Sequence, residues 1–339
     1  MGFLRNYRGA LLVISHDLEL LDEAITRVIH LDRPTEEGTG GVVEYKGTYS
    51  QYRAARAKDE ARLAKVAAAQ QKEIQRLSTL ADSMRGQTAK RARVAKNLDH
   101  RVERLESVAV EGPARERGMR LRLPDPPHSG RQVLEVERLT KGYGGPPVFE
   151  DVSFDLGRGE RILIMGLNGA GKTSLLRILA GVTEGDAGDV RFGLQVSAGY
   201  FAQEHETIRP ERSLIENLRA SAPLGDEQLR ALLGMFGLTG AKAFQEAGTL
   251  SGGEKTKLAL GMLVSGRHNL LLLDEPTNNL DPPSRQSIAE ALSGWPGSMI
   301  LVSHDREFVE HLAPQRVLIM PEGQVDHWSE DMAELVTLA

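Results

Sequence analysis

One glycine-rich segment constrains the fold of this 339-residue chain more than any other feature. It reads Gly166-Leu167-Asn168-Gly169-Ala170-Gly171-Lys172-Thr173. An apolar run at residues 161–165 precedes it, and a stretch with helical character follows at 174–179. In this strand–loop–helix context, glycines let backbone N–H groups curl around phosphate oxygens, and the start of the helix adds partial positive charge. The segment therefore predicts a phosphate-binding loop in an α/β fold, rather than a chance glycine turn.

The residue types of this loop indicate individual roles. Lys172 is expected to bring a positive charge to the β- and γ-phosphates of a nucleotide, and the Thr173 hydroxyl to ligate Mg²⁺. The predicted phosphate-contacting residues are Gly166, Asn168, Gly169, Ala170, Gly171, Lys172, Thr173 and Ser174.

Two carboxylates, Asp274 and Glu275, end a second buried run at residues 270–273. The carboxyl ends of parallel strands meet at one edge of a sheet, so this pair is expected to face the phosphate loop. There Asp274 would hold Mg²⁺ through water, and Glu275 would accept a proton from the attacking water. Without a phosphate loop in the same chain, a capping role for Glu275 would be the better interpretation.

A short repeat links the two ends of the sequence. Residues 9–17 and 297–305 both run through an apolar strand into Ser-His-Asp, and another apolar strand follows each of them. The repeat favours a functional role for His304, either bonding the γ-phosphate or fixing the water. It also predicts that residues 1–49 are the tail of a second domain of the same kind, with His16 as its histidine.

Ser251, Gly252 and Gly253 precede another apolar helix. Ser251 is a good N-cap, and the two glycines expose backbone N–H groups at a helix start. A plain cap needs no second glycine, so the segment predicts a second anion site for another nucleotide or for one held by a partner.

Residues 50–110 have the pattern of a basic antiparallel helical hairpin that turns at Gly86. Residues 51–110 contain 14 basic and 7 acidic side chains, in a chain whose net charge is −5. The bases predicted to contact nucleic acid are Arg85, Lys90, Arg91, Arg93 and Lys96. They suit contact with the phosphate backbone of folded RNA, while a solvated coiled coil is the alternative.

A connection rich in Pro and Gly at residues 111–132 leads to a domain at 133–339. Its continuous apolar runs predict strands buried on both faces, as in a parallel α/β sheet. Between residues 203 and 250 helical patterns replace the strand signal and indicate an inserted helical subdomain.

These motifs stand in the order of an ATP-binding cassette, and the chain resembles the ABC-F subfamily, whose members join two cassettes by a helical linker. The matching positions are the phosphate loop, Gln203, residues 250–254, 274–277, 279–281 and His304. The resemblance implies a P-loop ATPase fold. It implies that Tyr143 stacks on adenine and that Gln203 is a catalytic residue sensing Mg²⁺ and the γ-phosphate. It also implies that residues 251–253 contact ATP held by an opposite cassette, with Asp281 at that interface.

The expected function is therefore a Mg²⁺-dependent ATPase, weak without an opposite cassette, whose hairpin contacts tRNA or rRNA on the ribosome. Housekeeping translation and antibiotic protection both remain open, and the alternative is the ATPase subunit of a membrane transporter. Two copies packed head to tail would restore symmetrical sites. The chain has no cysteine, and we find no signal peptide or membrane span, which predicts a cytoplasmic protein outside the membrane.

Overall fold

The computed structural model divides the chain into two compact units, Met1–Glu116 and Arg117–Ala339. It describes residues 7, 9–13, 22–23, 25–31, 41–85, 88–107, 121, 123–203, 205–222 and 224–336. The predicted histidine His16 and the predicted turn at Gly86 lie outside these residues. The division falls inside the predicted connection at residues 111–132.

The first unit begins with a strand pair and continues into two helices. Strands β1 (Arg27–Leu31) and β2 (Val42–Lys46) pair antiparallel. Helix α1 (Tyr49–Met84) starts at a capping box in which Thr48 and Gln51 each satisfy the other's backbone N–H. Helix α2 (Ala89–Ser107) follows it.

The helices α1 and α2 pack against each other, which confirms the predicted hairpin. The buried apolar residues of α1 in this unit are Tyr52, Ile74, Leu77 and Ala81. Two members of the predicted stripe, Val66 and Leu80, are instead 43% and 42% exposed. At about 1.5 Å per residue, the 19-residue α2 is roughly half as long as the 36-residue α1, so it covers only part of that helix.

The second unit contains nine of the described strands and seven of the described α-helices. The strands are β3 (Gln132–Lys141), β4 (Phe149–Gly157), β5 (Arg161–Met165), β6 (Ala187–Phe192), β7 (Ala198–Phe201), β8 (Leu270–Asp274), β9 (Ser298–Val302), β10 (Arg316–Ile319) and β11 (Gln324–His327). The helices are α3 (Lys172–Leu179), α4 (Leu214–Ser221), α5 (Asp226–Met235), α6 (Gly252–Ser265), α7 (Pro282–Ser293), α8 (Arg306–Leu312) and α9 (Ala333–Val336).

Six strands form the central sheet in the order β11-β10-β5-β9-β8-β7. All neighbours are parallel except the pair β10–β11. Every residue of β8 and β9 is buried, as expected for strands covered on both faces. Strands β4, β3 and β6 form a separate antiparallel sheet.

Alternate residues of the central strands face two different hydrophobic cores. Leu271 and Leu273 of β8 lie in the core shared with α4, α5 and α6, whereas Leu270 and Leu272 lie in the core shared with α3 and the antiparallel sheet. Helices α4 and α5, with 3₁₀ turns at Gly240–Phe244 and Ala247–Thr249, form the predicted helical insertion. No helix in the described ranges is both long and apolar enough to cross a membrane.

The strand order determines where the predicted motifs meet. Strands β5, β9, β8 and β7 are consecutive neighbours and mutually parallel, so their carboxyl ends lie at one edge of the sheet. The segments that follow them contain the phosphate loop, His304, Glu275 and Gln203. This places the candidate site at one edge of the sheet.

Candidate nucleotide-binding site

The phosphate loop joins β5 to α3 and depends on glycine at defined positions. Gly171 has φ of +91°, and a Cβ there would lie 2.7 Å from a ring carbon of Phe149. Gly166 has φ of +154°, and its Cβ would collide with the backbone oxygen of Met320. Only glycine fits both the backbone conformation and the space, so the loop curls tightly into the start of α3.

Lys172 lies in the bend of the loop and is buried. Its Nζ donates to the backbone oxygen of Gly166 and, at 3.3 Å, to that of Leu167. Burial lowers the pKa of Lys172, and the nearby carboxyls of Glu275 and Asp274 oppose this. The loop thus holds a cation among oxygen acceptors, where phosphate oxygens would supply equivalent partners.

Asp274 ends β8 and is 1% exposed. Among the described residues, neither of its carboxylate oxygens accepts a hydrogen bond. Burial raises the pKa of Asp274, whereas the nearby Thr173 hydroxyl and the positive charge of Lys172 lower it. Buried carboxylate oxygens without partners are costly unless a cation satisfies them, and hard oxygen ligands are what Mg²⁺ prefers. The residues present therefore fit a magnesium ion held by Asp274, Thr173 and Gln203.

Glu275 follows Asp274 at a strained turn with φ of +52°. Its backbone N–H donates to the backbone oxygen of Val302 on β9 at 2.9 Å. The residue is 4% exposed, and this burial raises its pKa to about 7. A carboxyl with this pKa can accept a proton near neutral pH, as a general base must.

His304 contacts the same carboxyl from the loop after β9. Its backbone N–H donates to Oε2 of Glu275 at 3.3 Å, and its Nε2 lies 3.1 Å from Oε1. Burial and the charge of Lys172 lower the pKa of His304, which favours the neutral imidazole. The His304 backbone N–H therefore holds the carboxylate in place, while Oε1 has no hydrogen-bond partner among the described residues.

These residues line one cleft of about 310 Å³. The predicted residues in its lining are Tyr143, Asn168, Gly169, Ala170, Gly171, Lys172, Thr173, Ser174, Gln203, Asp274, Glu275 and His304. Gly166 lies directly before this lining. The apolar lining residues Val148 and Val302 were not predicted, since isolated valines give no motif signal.

The structure places Ser251, Gly252 and Gly253 outside this cleft, at the start of α6. Ser251 caps the helix in a capping box with Glu254. A Cβ at Gly253 would lie 2.5 Å from the backbone oxygen of Asn279. The argument that a plain cap needs no second glycine is therefore wrong, because packing against Asn279 already requires one.

Asp281 also lies outside the cleft and caps α7. Its carboxylate accepts from the Ser284 hydroxyl at 2.7 Å and lies 3.4 Å from Nζ of Lys257 on α6. These contacts tie the start of α7 to the helix that Ser251 caps. The second predicted anion site and Asp281 thus form one connected region.

The predicted RNA-contacting residues lie on the helical hairpin. Arg85 pairs with Asp82 and, at 2.7 Å, with Asp99, and these contacts raise its pKa. Arg85, one of the bases predicted to contact nucleic acid, is therefore already paired with two carboxylates of the hairpin. Arg91, Arg93 and Lys96 are exposed on α2. Lys90 lies on the same helix, and its side chain is outside the described set.

Family models match both units of the chain. A model described as ABC transporter matches residues 149–278, which contain the phosphate loop and the acidic pair. A second model with the same description matches residues 38–122, which contain the helical hairpin.

Curated relatives match nearly the whole chain. The probable ATP-binding protein YheS of Escherichia coli K12 is 35% identical over 94% of this chain and 49% of its own length. The putative ATP-binding protein YdiF of Bacillus subtilis 168 is 34% identical over 97% of this chain and 50% of its own. The energy-dependent translational throttle protein EttA of E. coli K12 is 31% identical over 98% of this chain and 59% of its own length. The chain spans about half the length of the first of these relatives.

Solved structures share the fold of the second unit. A dimeric bacterial ABC transporter cassette aligns with a TM-score of 0.51 and 19% identity, over 57% of this chain and 98% of that one. The ATP-binding subunit of an ABC transporter aligns with a TM-score of 0.51 and 24% identity, over 60% of this chain and 94% of that one. Both confirm the predicted cassette fold.

Proposed function

Since this chain belongs to the ABC-F subfamily of ATP-binding-cassette proteins, we propose that it binds ATP with Mg²⁺ and hydrolyses it. One observation carries the proposal. A cleft at the carboxyl edge of the sheet contains a buried lysine, an aspartate without hydrogen-bond partners among the described residues, and a glutamate whose pKa is about 7.

In this proposal the phosphate loop and Lys172 bind the β- and γ-phosphates. Thr173, Asp274 and Gln203 hold the Mg²⁺, which neutralises charge on the phosphates when bound. Tyr143 stacks on the adenine, and the residue is 63% exposed in the cleft.

Glu275 accepts the proton of the attacking water, and His304 orients the Glu275 carboxylate. The hydrogen bond from the His304 backbone N–H to Oε2 and the nearness of its imidazole to Oε1 support this division of roles. The low exposure of Glu275 supports it as well, since it keeps the pKa of the base near neutral pH.

Ser251, Gly252, Gly253 and Asp281 contact ATP or loops of an opposite cassette in our proposal. Their position outside this chain's own cleft supports an action in trans. A second copy packed head to tail would supply that opposite surface. Without it, we expect hydrolysis to be weak.

The ATP site is tested by Lys172→Ala in a calorimetric titration with ATP and Mg²⁺. We expect affinity to fall by on the order of 10- to 100-fold, because charge-assisted bonds to two phosphates are lost. Arg191→Ala is the matched control, since Arg191 is an exposed cation on β6 paired with Glu137. Equal affinities of Lys172→Ala and the control would remove Lys172 from the site.

We further propose that the protein is cytoplasmic and acts on the ribosome, with its hairpin against tRNA or rRNA. The relative named as a translational throttle supports this, as do the exposed cations Arg91, Arg93 and Lys96. The alternative of a transporter subunit is not favoured by these relatives.

Co-sedimentation with ribosomes tests this role. Full chain with Glu275→Gln and ATP is expected to travel with ribosomes through a sucrose gradient, because unhydrolysed ATP maintains the bound state. Adding Lys172→Ala to the same chain should abolish the effect at an ATP concentration that saturates Glu275→Gln but not the double variant, since loss of the lysine weakens ATP binding. Identical profiles for the two variants would reject an ATP-dependent ribosomal role.

A further inference from the structure

The loop that carries Tyr143 is fastened at its base to one carboxylate. Asp186 accepts from the Gly142 backbone N–H at 2.7 Å and from Nζ of Lys141 at 2.8 Å. Its own backbone N–H donates to the backbone oxygen of Thr140 at 2.9 Å. Three consecutive residues leading to Tyr143 are therefore bonded to a single residue directly before the neighbouring strand β6.

Lys141 carries this anchorage to the aromatic ring. It is buried, its Nζ also donates to the backbone oxygen of Glu184 at 2.9 Å, and it lies 5.3 Å from the centroid of the Tyr143 ring. A cation at this distance is attracted to the face of an aromatic ring. The lysine is thus held by two oxygens and in turn holds the ring.

The opposite end of the ring is bonded as well. The Tyr143 hydroxyl donates to Oγ of Ser174 at 3.1 Å, directly after the phosphate-loop threonine. Tyr143 remains 63% exposed and lines the cleft. Tyr143 is therefore fixed at a set place relative to the phosphate loop while leaving a surface open for stacking.

Strand pairing alone does not account for these contacts. The β3–β6 register ends with Thr140 opposite Ala187, and Lys141 lies beyond it. The hydrogen bonds from Lys141 and from the Gly142 backbone lower the pKa of Asp186. Its carboxyl therefore stays ionised and able to pair with the lysine. A buried lysine deprived of this partner would favour another position, away from the ring.

We infer that Asp186 and Lys141 are positioning residues that hold the Tyr143 ring as a platform for the nucleotide base. They would thereby determine how strongly the site prefers a nucleotide to a bare triphosphate chain. This inference rests on the proposed ATP site, because the base is placed by a triphosphate bound in the phosphate loop.

The experiment compares two ligands by calorimetric titration of the full chain with Mg²⁺: ATP and inorganic tripolyphosphate. In Asp186→Ala and in Lys141→Met we expect the Kd for ATP to rise about five- to tenfold, the range expected when a base loses its aromatic stacking partner. The Kd for tripolyphosphate should remain within about twofold, because it makes no base contact. Asp189→Ala is the matched control, since Asp189 is an exposed carboxylate three residues further along the chain, on β6, paired with Arg191.

A double-mutant cycle separates positioning from a general structural effect. Tyr143→Ala should weaken ATP binding as Asp186→Ala does, and the double variant should show no further loss, because both remove one platform. Additive losses would overturn the inference, as would equal weakening of ATP and tripolyphosphate in Asp186→Ala. If the wild-type chain binds ATP and tripolyphosphate equally, it lacks a base platform. That result overturns this inference but leaves the proposed ATP site standing. A wild-type chain that binds neither ligand overturns the proposed ATP site as well.

Discussion

Glu275 and His304 meet at two atoms: the His304 backbone N–H donates to Oε2 at 3.3 Å, and the imidazole Nε2 lies 3.1 Å from Oε1. The two residues follow neighbouring parallel strands, in which Asp274 pairs with Val302. The contact therefore follows from the sheet register, and it fixes a buried carboxyl whose pKa is about 7.

This carboxyl predicts the pH dependence of hydrolysis. Only ionised Glu275 can accept a proton from water, so kcat/KM for ATP should rise as pH increases through about 7. We use kcat/KM because it reports the groups of the free enzyme, and the profile is measured from about pH 5.5 to 9 with Mg²⁺. A profile that is flat across neutral pH would contradict this assignment.

Replacing the base should separate binding from chemistry. In Glu275→Gln we expect ATP affinity to be retained and kcat to fall by on the order of 10²–10⁴-fold, because an amide cannot take the proton. Glu310→Gln is the control, since Glu310 is a surface carboxylate on α8 that pairs with Arg306 at 2.8 Å. If Glu275→Gln hydrolyses ATP as fast as this control, another group is the base.

Burial of Glu275 also affects stability. Its pKa lies above the usual 4.5, so the folded chain keeps a proton that the unfolded chain releases. The stability present below about pH 4.5 is therefore lost as pH rises to about 7. Glu275→Gln has no carboxyl at this position and avoids this loss. The difference in free energy of unfolding between this variant and the wild type should therefore shift in favour of the variant by up to about 3 kcal/mol between about pH 4.5 and 8.

Denaturant unfolding of the nucleotide-free protein tests this difference. The two tryptophans, Trp295 and Trp328, both belong to the second unit, so their fluorescence reports the unit that contains Glu275. If the difference in free energy of unfolding between Glu275→Gln and the wild type is the same at about pH 4.5 and at about pH 8, the carboxyl is not protonated in the folded state.

The exposed cations of α2 should act on RNA independently of hydrolysis. Neutralising Arg91, Arg93 and Lys96 together is expected to weaken ribosome binding and to lower the salt-dependence slope by about 2–3, at 0.7–0.9 for each lost phosphate contact. The control neutralises Arg62, Lys65 and Arg76 on α1, where Arg62 and Arg76 already pair with Asp59 and Glu73. Equal binding of the two triple variants at every salt concentration would favour the solvated-coil interpretation.

The surface at Ser251 predicts self-association that depends on ATP. Glu275→Gln with ATP and Mg²⁺ should form a head-to-tail dimer, because the unhydrolysed γ-phosphate bridges the phosphate loop of one copy and the α6 start of the other. Light scattering over a concentration series measures the mass. Adding Lys172→Ala should leave a monomer, whereas a Glu275→Gln chain that stays monomeric in saturating ATP would exclude the dimer.

The sequence by itself determined the elements of the cassette and the meeting of the phosphate loop with the acidic pair in the cleft. The phosphate loop, the apolar runs within β8 and β9 and the capping serine Ser251 are local patterns, each readable within a few residues. The meeting of Lys172 with Glu275 was also predictable, because carboxyl ends of parallel strands share one edge.

Only the tertiary structure determined the pKa values of these groups and the contacts that they make with residues distant in sequence. The pKa of Glu275 depends on how much water the surrounding strands exclude, and the need for Gly253 depends on a backbone oxygen distant in sequence. Likewise, Arg85 finds Asp99 across the hairpin, and Asp186 holds Lys141 beneath Tyr143. Such contacts join residues separated along the chain, and their energies depend on distance and burial, which no local pattern specifies.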